Sequence, residues 1–248
     1  MTTLAVIGAG VMGETLIAGL LRAGWAGGDI IASDRHAARL AEIGERHGVR
    51  TADTAEAAAD ADTVVLVVKP QDLSEVLPQI GGTLRPDALV VSLCAGITTA
   101  TIEAALPAGT PVVRVMPNTP AQVSEGMAAI SAGATATGEH IDHVSELLAA
   151  VGQVVVVPEK YQDAVTAISG SGPAYLYFVV EAMIDAGVML GLPRDTATTL
   201  VVQTMYGSAK LLSESGLHPT VLKERVTSPG GTTAAALREL ESHKVKAA

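Results

Sequence analysis

Two glycine-containing segments, one near each end of the chain, have residue types suited to binding anions. The first is Gly8-Ala9-Gly10-Val11-Met12-Gly13, and the second is Ser228-Pro229-Gly230-Gly231-Thr232-Thr233. Each is predicted to open a helix, where unpaired backbone N–H groups and the helix dipole attract negative charge. The first segment has the spacing of a dinucleotide site, and the second fits a small carboxylate.

The first segment has the glycine fingerprint of dinucleotide-binding proteins in its required context, between an apolar strand and a helix. Gly8 allows a tight turn, Gly10 lets a pyrophosphate approach the backbone, and Gly13 lets helix and strand pack closely. Val11 and Met12 lie on the same predicted turn and join the candidate cofactor-binding residues. The alternative is a glycine-rich turn that binds no ligand.

Ser33-Asp34-Arg35 ends the second predicted strand, about 20 residues after the third glycine. An acid at this place binds the ribose 2′-hydroxyl of NAD, whereas Arg35 and Ser33 are suited to the 2′-phosphate of NADP. A third interpretation is that Asp34 only caps the following helix. The residues alone leave the choice between NAD and NADP open.

Three further segments follow predicted strands, at the sheet edge where parallel α/β proteins bind ligands. Lys69 and Pro70 follow the third apolar run, Cys94 and Ala95 the fourth, and Asn118 the fifth. All five are candidate cofactor contacts, although a solvated lysine is an equal alternative for Lys69. For Cys94 a small packed side chain explains the residue better than a nucleophile does.

The order of apolar runs and helical patterns predicts an α/β protein with an N-terminal, doubly wound Rossmann sheet over residues 1–158. An all-α domain, which we expect to dimerise, follows over residues 159–248. Strands are predicted at 4–7, 30–32, 64–68, 89–93, 112–115, 127–131 and 154–157. Helices are predicted at 11–24, 35–47, 71–80, 98–106, 139–150, 173–190, 193–214 and 219–226, with a last one from about residue 231.

The helices 173–190 and 193–214 are apolar around most of their circumference. Such helices require burial on all sides, and a domain of this size has difficulty burying two of them alone. A homodimer that shares these helices is the simplest solution.

Composition excludes several classes of function. A net charge of −10 without a basic block, together with 2% aromatic residues, argues against nucleic-acid binding. One cysteine allows no internal disulfide, and no signal peptide or membrane span is recognisable, so a cytoplasmic location is expected. The six histidines are scattered and no metal site is predicted.

The chain resembles the pyrroline-5-carboxylate reductase family over nearly its whole length. The resemblance is carried by residues 226–233 with Ala236-Leu237 and Leu240-Glu241, by Val68-Lys69-Pro70, by residues 114–120 and by residues 169–175. It implies NAD(P)H-dependent reduction of Δ1-pyrroline-5-carboxylate to L-proline, the last step of proline biosynthesis. NADPH is the cofactor that the family commonly prefers, with NADH as the alternative.

The resemblance also implies roles for individual residues. The substrate carboxylate is expected on the backbone amides of Gly230, Gly231 and Thr232 with the Ser228 hydroxyl, and Thr233 is expected to contact the ring nitrogen as the catalytic residue. The partners implied are a small-molecule substrate and a second copy of the chain, with dimers assembling further and each active site near the dimer interface. Family members usually continue with one more helix after Ala248.

Two other functions stay open at this stage. One is a reductase of another cyclic imine or of a 3-hydroxyacid on the same two-domain plan. The hydroxyacid version requires a catalytic lysine on the first long C-terminal helix, and 173–190 contains none. The other is a non-catalytic dinucleotide-binding protein.

Overall fold

The computed structural model describes residues 2–247, which form two compact units divided between Tyr175 and Leu176. The first unit contains an eight-stranded sheet, and the second consists of helices. The fold class predicted from the sequence is confirmed. The predicted domain boundary at residue 158 stays a prediction.

The sheet of the first unit has the strand order β3-β2-β1-β4-β5-β6-β7-β8. Neighbouring strands are parallel, except that β7 runs antiparallel to β6. Because the order reverses direction at β1, a crevice for ligands is expected beyond its carboxyl end. The strands are β1 Leu4–Ile7, β2 Ile30–Ser33, β3 Arg50–Thr51, β4 Thr63–Leu66, β5 Leu89–Ser92, β6 Val112–Met116, β7 Gly126–Ala132 and β8 Gly152–Val156.

Helices cover both faces of this sheet. Alternate residues of β1 point to opposite sides, so Leu4 and Val6 belong to one core while Ala5 and Ile7 belong to the other. Helices α1, α2 and α6 pack on the first side, and α3, α4 and α5 pack on the second. These helices are α1 Val11–Arg22, α2 Ala37–His47, α3 Thr54–Asp60, α4 Leu73–Gly81, α5 Thr99–Glu103, α6 Gly138–Ala149 and, after the sheet, α7 Gln162–Val165.

Three elements of the first unit were not predicted: β3, α3 and the four-residue helix α7. Strand β3 has only two residues, too few to show an alternation of apolar and polar side chains, and both are exposed. Helix α3 follows directly, and Asp53 caps it by accepting a hydrogen bond from the Glu56 N–H. Asp53 followed three residues later by Glu56 is a helix-start pattern, so the sequence did contain a signal for α3.

The second unit continues the predicted helical series. No strand follows Val156 in the part of the chain that is described. The helices are α8 Gly172–Met189, which crosses the division between the units, α9 Arg194–Ser215, α10 Pro219–Arg225 and α11 Thr232–Ser242. None of the helices within residues 2–247 combines the length and the apolar character needed to cross a membrane.

Helices α8 and α9 leave large apolar side chains uncovered in the single chain. Phe178 is 71% exposed on α8, and Leu200 is 53% exposed on α9. The other exposed apolar side chains of these two helices are Tyr175, Leu176, Tyr177, Val179, Met183, Met189, Val202, Tyr206, Leu211 and Leu212. Exposed apolar side chains in this number indicate an interaction surface.

Candidate functional site

The glycine loop, residues 8–13, joins β1 to α1 in a conformation that depends on its glycines. Gly8 has a φ of +103°, and a Cβ there would lie 2.7 Å from the Val67 carbonyl oxygen. A Cβ on Gly13 would overlap the Gly8 carbonyl oxygen, so this glycine allows close contact between helix and loop. A Cβ on Gly10 would meet no atom within 4 Å. The protein itself therefore does not require glycine at position 10, whereas a ligand approaching the loop does.

Asp34 lies just past β2 and is hydrogen-bonded to the glycine loop. One carboxylate oxygen accepts the Ala9 N–H at 2.9 Å, and the other accepts the His36 N–H at 2.9 Å. Burial raises the pKa of the Asp34 carboxyl, but the hydrogen bonds from His36 and Ala9 outweigh it and hold that pKa below its usual value. The side chain is 12% exposed, so a fixed negative charge stands beside the loop.

A cleft of about 520 Å³ opens where the glycine loop meets the ends of β2 and β4. Its size is within the range of small-molecule and cofactor sites. Six of the predicted cofactor residues line it: Gly8, Gly10, Ser33, Asp34, Arg35 and Lys69. It is also lined by Ile7, His36, Arg39, Asp53, Thr54, Val67, Val68, Asp72, Glu75, Val76 and Gln79.

Charged side chains of both signs meet in this cleft. The Arg35 guanidinium lies 3.2 Å from the Asp72 carboxylate, and Lys69 is exposed. The acidic side chains Asp34, Asp53 and Glu75 line the same space. The cleft therefore has cationic side chains that can pair with a phosphate. At the Asp34 end, the fixed carboxylate repels a phosphate.

The other predicted cofactor residues lie outside the lining of the cleft. Val11 and Met12 form the first turn of α1, and Met12 lines a small apolar pocket with Leu93 and Pro117. Pro70 begins a 3-10 turn, Pro70–Asp72, and Ala95 is exposed after β5.

Cys94 and Asn118 have side chains engaged within the first unit. The Cys94 thiol is buried and donates to the Val68 carbonyl at 3.3 Å, and burial raises its pKa, which fits a packed side chain. The side-chain oxygen of Asn118, Oδ1, accepts the Met127 N–H at 2.8 Å. Its amide nitrogen donates to the Ser169 carbonyl at 3.4 Å, so this side chain ties the turn after β6 to β7 and to residue 169.

The C-terminal loop, residues 228–233, opens α11 in the second unit. Gly230 has a φ of +68°, a left-handed conformation that favours glycine, and Gly231 is the N-cap. The Gly231 N–H donates to the Ser228 carbonyl at 3.0 Å. The first bond of the helix runs from the Ala235 N–H to the Gly231 carbonyl, so the amides of Thr232, Thr233 and Ala234 are donors that this helix start presents.

Sequence reasoning missed several residues of the cleft. Arg39 lies on α2, and Asp72 lies on the turn before α4. Asp53 and Thr54 belong to the unpredicted start of α3. Only Asp53 had a sequence signal, the helix-start pattern with Glu56. Within the described residues no group of three His, Cys, Asp or Glu side chains is arranged to hold a metal ion.

Comparison with known proteins gives the family. The family model for pyrroline-5-carboxylate reductase dimerisation matches residues 159–248, and the model for NADP oxidoreductase, coenzyme F420-dependent, matches residues 3–96. A pyrroline-5-carboxylate reductase from Corynebacterium melassecola is 46% identical over 252 residues, which cover 100% of this chain and 93% of that protein. The chain belongs to the pyrroline-5-carboxylate reductase family.

Solved structures of pyrroline-5-carboxylate reductases have the same fold over almost the whole chain. The enzyme from Coxiella burnetii superposes with a TM-score of 0.93 at 35% identity, covering 99% of this chain and 92% of that one. The Plasmodium falciparum enzyme, solved with NADP bound, gives a TM-score of 0.89 at 31% identity, with coverage of 99% and 91%.

Proposed function

We propose that this protein reduces Δ1-pyrroline-5-carboxylate to L-proline with NAD(P)H. The observation that carries the proposal is similarity to reductases of this name along the whole chain, at 40% to 46% identity. The glycine loop and the C-terminal loop each have the donors that one of the two ligands needs.

The glycine loop and its cleft fit a dinucleotide. The open space at Gly10 admits a pyrophosphate, and the first turn of α1 presents amide donors to it. Ser33, Asp34 and Arg35 lie where the adenosine ribose is bound in this fold, while Lys69 adds a cation. When bound, the reduced nicotinamide supplies the hydride. We further propose contacts of the cofactor with Val11, Met12, Pro70, Cys94, Ala95 and Asn118.

The C-terminal loop is proposed to hold the substrate. A carboxylate at the start of α11 is favoured by the helix dipole and by the amides that the helix leaves unpaired. We propose that the amides of Gly230, Gly231 and Thr232 and the Ser228 hydroxyl hold this carboxylate, which requires the Gly231 N–H to be shared with the Ser228 carbonyl. We assign the ring nitrogen to the Thr233 hydroxyl. A protonated imine is already electrophilic, so orientation by Thr233 contributes more than acid–base catalysis does.

We propose a homodimer formed through α8 and α9, with dimers assembling further. The support is the match of residues 159–248 to a dimerisation model, together with the exposed apolar side chains of these helices. A cytoplasmic location is proposed with it, on the ground of the single cysteine.

The test is NADPH oxidation by the purified protein with and without Δ1-pyrroline-5-carboxylate, repeated with NADH and with a six-membered cyclic imino acid. We expect oxidation that depends on the five-membered substrate. Oxidation only with the larger imine would replace the proposed substrate, and dinucleotide binding without oxidation of either kind would contradict an enzymatic function.

Thr233→Ala tests the assigned role within the same assay. Loss of a hydrogen bond to a charged transition state is expected to lower kcat/KM by roughly 10- to 100-fold. Thr233→Ser should retain most activity because it keeps the hydroxyl. Thr135→Ala, which removes an exposed hydroxyl that donates to the Thr110 carbonyl in the first unit, is the matched control and should leave kcat/KM unchanged.

A further inference from the structure

The Ala9 residue of the glycine loop is held on both sides by side chains from the second βα unit. Its N–H donates to the Asp34 carboxylate at 2.9 Å, and its carbonyl oxygen accepts the Arg39 Nε–H at 2.9 Å. Ala9 itself is fully buried. The peptide group before Ala9 and the peptide group after it therefore each have a fixed orientation.

The second of these contacts bears on the N–H of Gly10, a residue that lines the cleft. A trans peptide is planar, so its carbonyl and its N–H point in opposite directions. Fixing the Ala9 carbonyl therefore fixes the direction of the Gly10 N–H. Gly10 has no Cβ, and the freedom of its φ would otherwise allow this peptide to flip. The Gly10 N–H belongs to the turn at which the pyrophosphate is expected.

Arg39 is itself held in place by two carboxylates. One terminal nitrogen donates to Glu42 at 2.8 Å, and the other donates to Glu14 on α1. The three donors of one planar guanidinium thus join α2, α1 and the glycine loop, an arrangement that a lysine cannot reproduce. The side chain is 25% exposed, so part of this network is shielded from water.

Arg46 provides a natural comparison on the same helix. It donates to Glu14 at 2.7 Å and also pairs with Glu42, the same two acids that hold Arg39. Its hydrogen bonds to other described side chains or backbone atoms involve these two carboxylates and no atom of the glycine loop. The two arginines differ in the contact with Ala9.

We infer that Arg39 is a positioning residue for the dinucleotide, which acts by holding the Ala9–Gly10 peptide with the Gly10 N–H toward the pyrophosphate. The inference rests on the proposed cofactor site. It predicts a contribution to NADH and NADPH alike, because both contain the pyrophosphate. A direct contact of Arg39 with the 2′-phosphate would instead favour NADPH alone.

The experiment measures dissociation constants by isothermal titration calorimetry for NADPH, NADH and adenosine 2′-monophosphate, which has no pyrophosphate. In Arg39→Met we expect both dinucleotides to bind about tenfold more weakly, the effect of losing one charge-assisted hydrogen bond. Adenosine 2′-monophosphate should bind as in the wild type. Arg46→Met should bind all three ligands within about twofold of the wild type, as expected for an exposed ion pair.

Steady-state kinetics give a second readout. The KM for the dinucleotide should rise in Arg39→Met, while kcat at saturating dinucleotide and the KM for the imine change little. Arg39→Lys keeps the charge without the three-way geometry, so it should not restore dinucleotide binding. It also serves as the test variant where Arg39→Met fails to fold.

Three outcomes would overturn the inference. They are equal dinucleotide affinity in the wild type and the Arg39 variants, equal losses in the Arg39 and Arg46 variants, and a loss confined to NADPH and adenosine 2′-monophosphate. Failure of the wild-type chain to bind either dinucleotide would overturn the proposed cofactor site as well. The first three outcomes leave that site intact, so the two failures are distinguishable.

Discussion

The carboxylate of Asp34 and the backbone N–H of Ala9 are joined by a hydrogen bond of 2.9 Å, so the acid that ends β2 is also part of the glycine loop. Its second oxygen accepts the N–H of His36, the N-cap residue of α2, so Asp34 holds the turn before that helix and caps none of the amides of its first turn. With both oxygens engaged, the Asp34 carboxylate is held in the cleft and cannot turn away from an approaching phosphate.

Asp34→Asn is predicted to shift cofactor preference toward NADPH. The amide oxygen can still accept the Ala9 N–H, but the bond from the His36 N–H and the negative charge at the proposed 2′ position are lost. We expect the ratio of kcat/KM for NADPH to that for NADH to rise about tenfold, which corresponds to one unit-charge interaction in a partly exposed cleft. Asp34→Ala is the control, since it also removes the acceptor and should weaken both dinucleotides. An unchanged ratio in the Asn variant would contradict a role of this charge in discrimination.

Gly13→Ala is predicted to lose stability, whereas Gly10→Ala is predicted to lose dinucleotide affinity. At Gly13 the added Cβ overlaps the Gly8 carbonyl, and we expect a loss of roughly 2–4 kcal/mol in the free energy of unfolding. At Gly10 the Cβ meets open space, so stability should change by less than about 1 kcal/mol. Dinucleotide affinity in Gly10→Ala should fall by about tenfold or more, because the methyl group occupies the path of the pyrophosphate. Urea unfolding and calorimetric titration separate the two effects, and tight NADPH binding by Gly10→Ala would refute the site.

Acid is predicted to weaken the junction between α1 and α2. The hydrogen bond from His47, together with those from Arg39 and Arg46, lowers the pKa of Glu14 from 4.5 to about 2 against the opposing effect of burial. Because the folded-state pKa is depressed, the stabilisation is complete above the ordinary pKa of 4.5 and is lost as pH falls toward about 2. Glu14→Gln should be less stable than the wild type by about 1–2 kcal/mol at neutral pH.

The measurement is the urea midpoint of the wild type and of Glu14→Gln at a series of pH values between neutral and about 3. The difference between the two proteins should stay constant down to a pH of about 4.5 and shrink below it. Glu75→Gln is the control, a glutamate in the first turn of α4 without an ion pair among the described residues. A difference that stays constant with pH would show that the Glu14 charge contributes no stability.

The apolar surface of α8 and α9 is predicted to be covered by a second copy of the chain. Phe178→Asp places a charge on that surface and should weaken the dimer by at least about tenfold, the effect expected of a central interface residue. Val123 is also exposed, at 73%, but lies in the first unit on the turn after β6. Val123→Asp is therefore the control. Light scattering over a dilution series measures the change, and monomeric wild-type protein at micromolar concentration would contradict the proposed dimer.

Local patterns in the sequence were sufficient for most of the architecture. The continuous apolar runs predicted seven of the eight strands, because strands covered on both faces are apolar throughout. Prolines before α9 and at the start of α10 marked helix starts correctly, since proline fits the first turn. The glycine spacing predicted a βα turn, and two of its glycines, Gly8 and Gly13, meet a local steric need in the folded chain. By contrast, β3 left no periodic signal in its two residues.

The side chains that surround the glycine loop depended on tertiary structure. Arg39 is 30 residues from Ala9 and Glu14 is 25 residues from Arg39, so their contacts arise only when α2 packs beside α1. The sequence also left the role of Asp34 open, because a carboxylate at this position can cap a helix, bind a ribose or support the glycine loop. The sequence by itself determined which backbone turns form, since these follow from local sterics and periodicity. Only the folded chain decided which charges meet at those turns, because that depends on how distant elements pack.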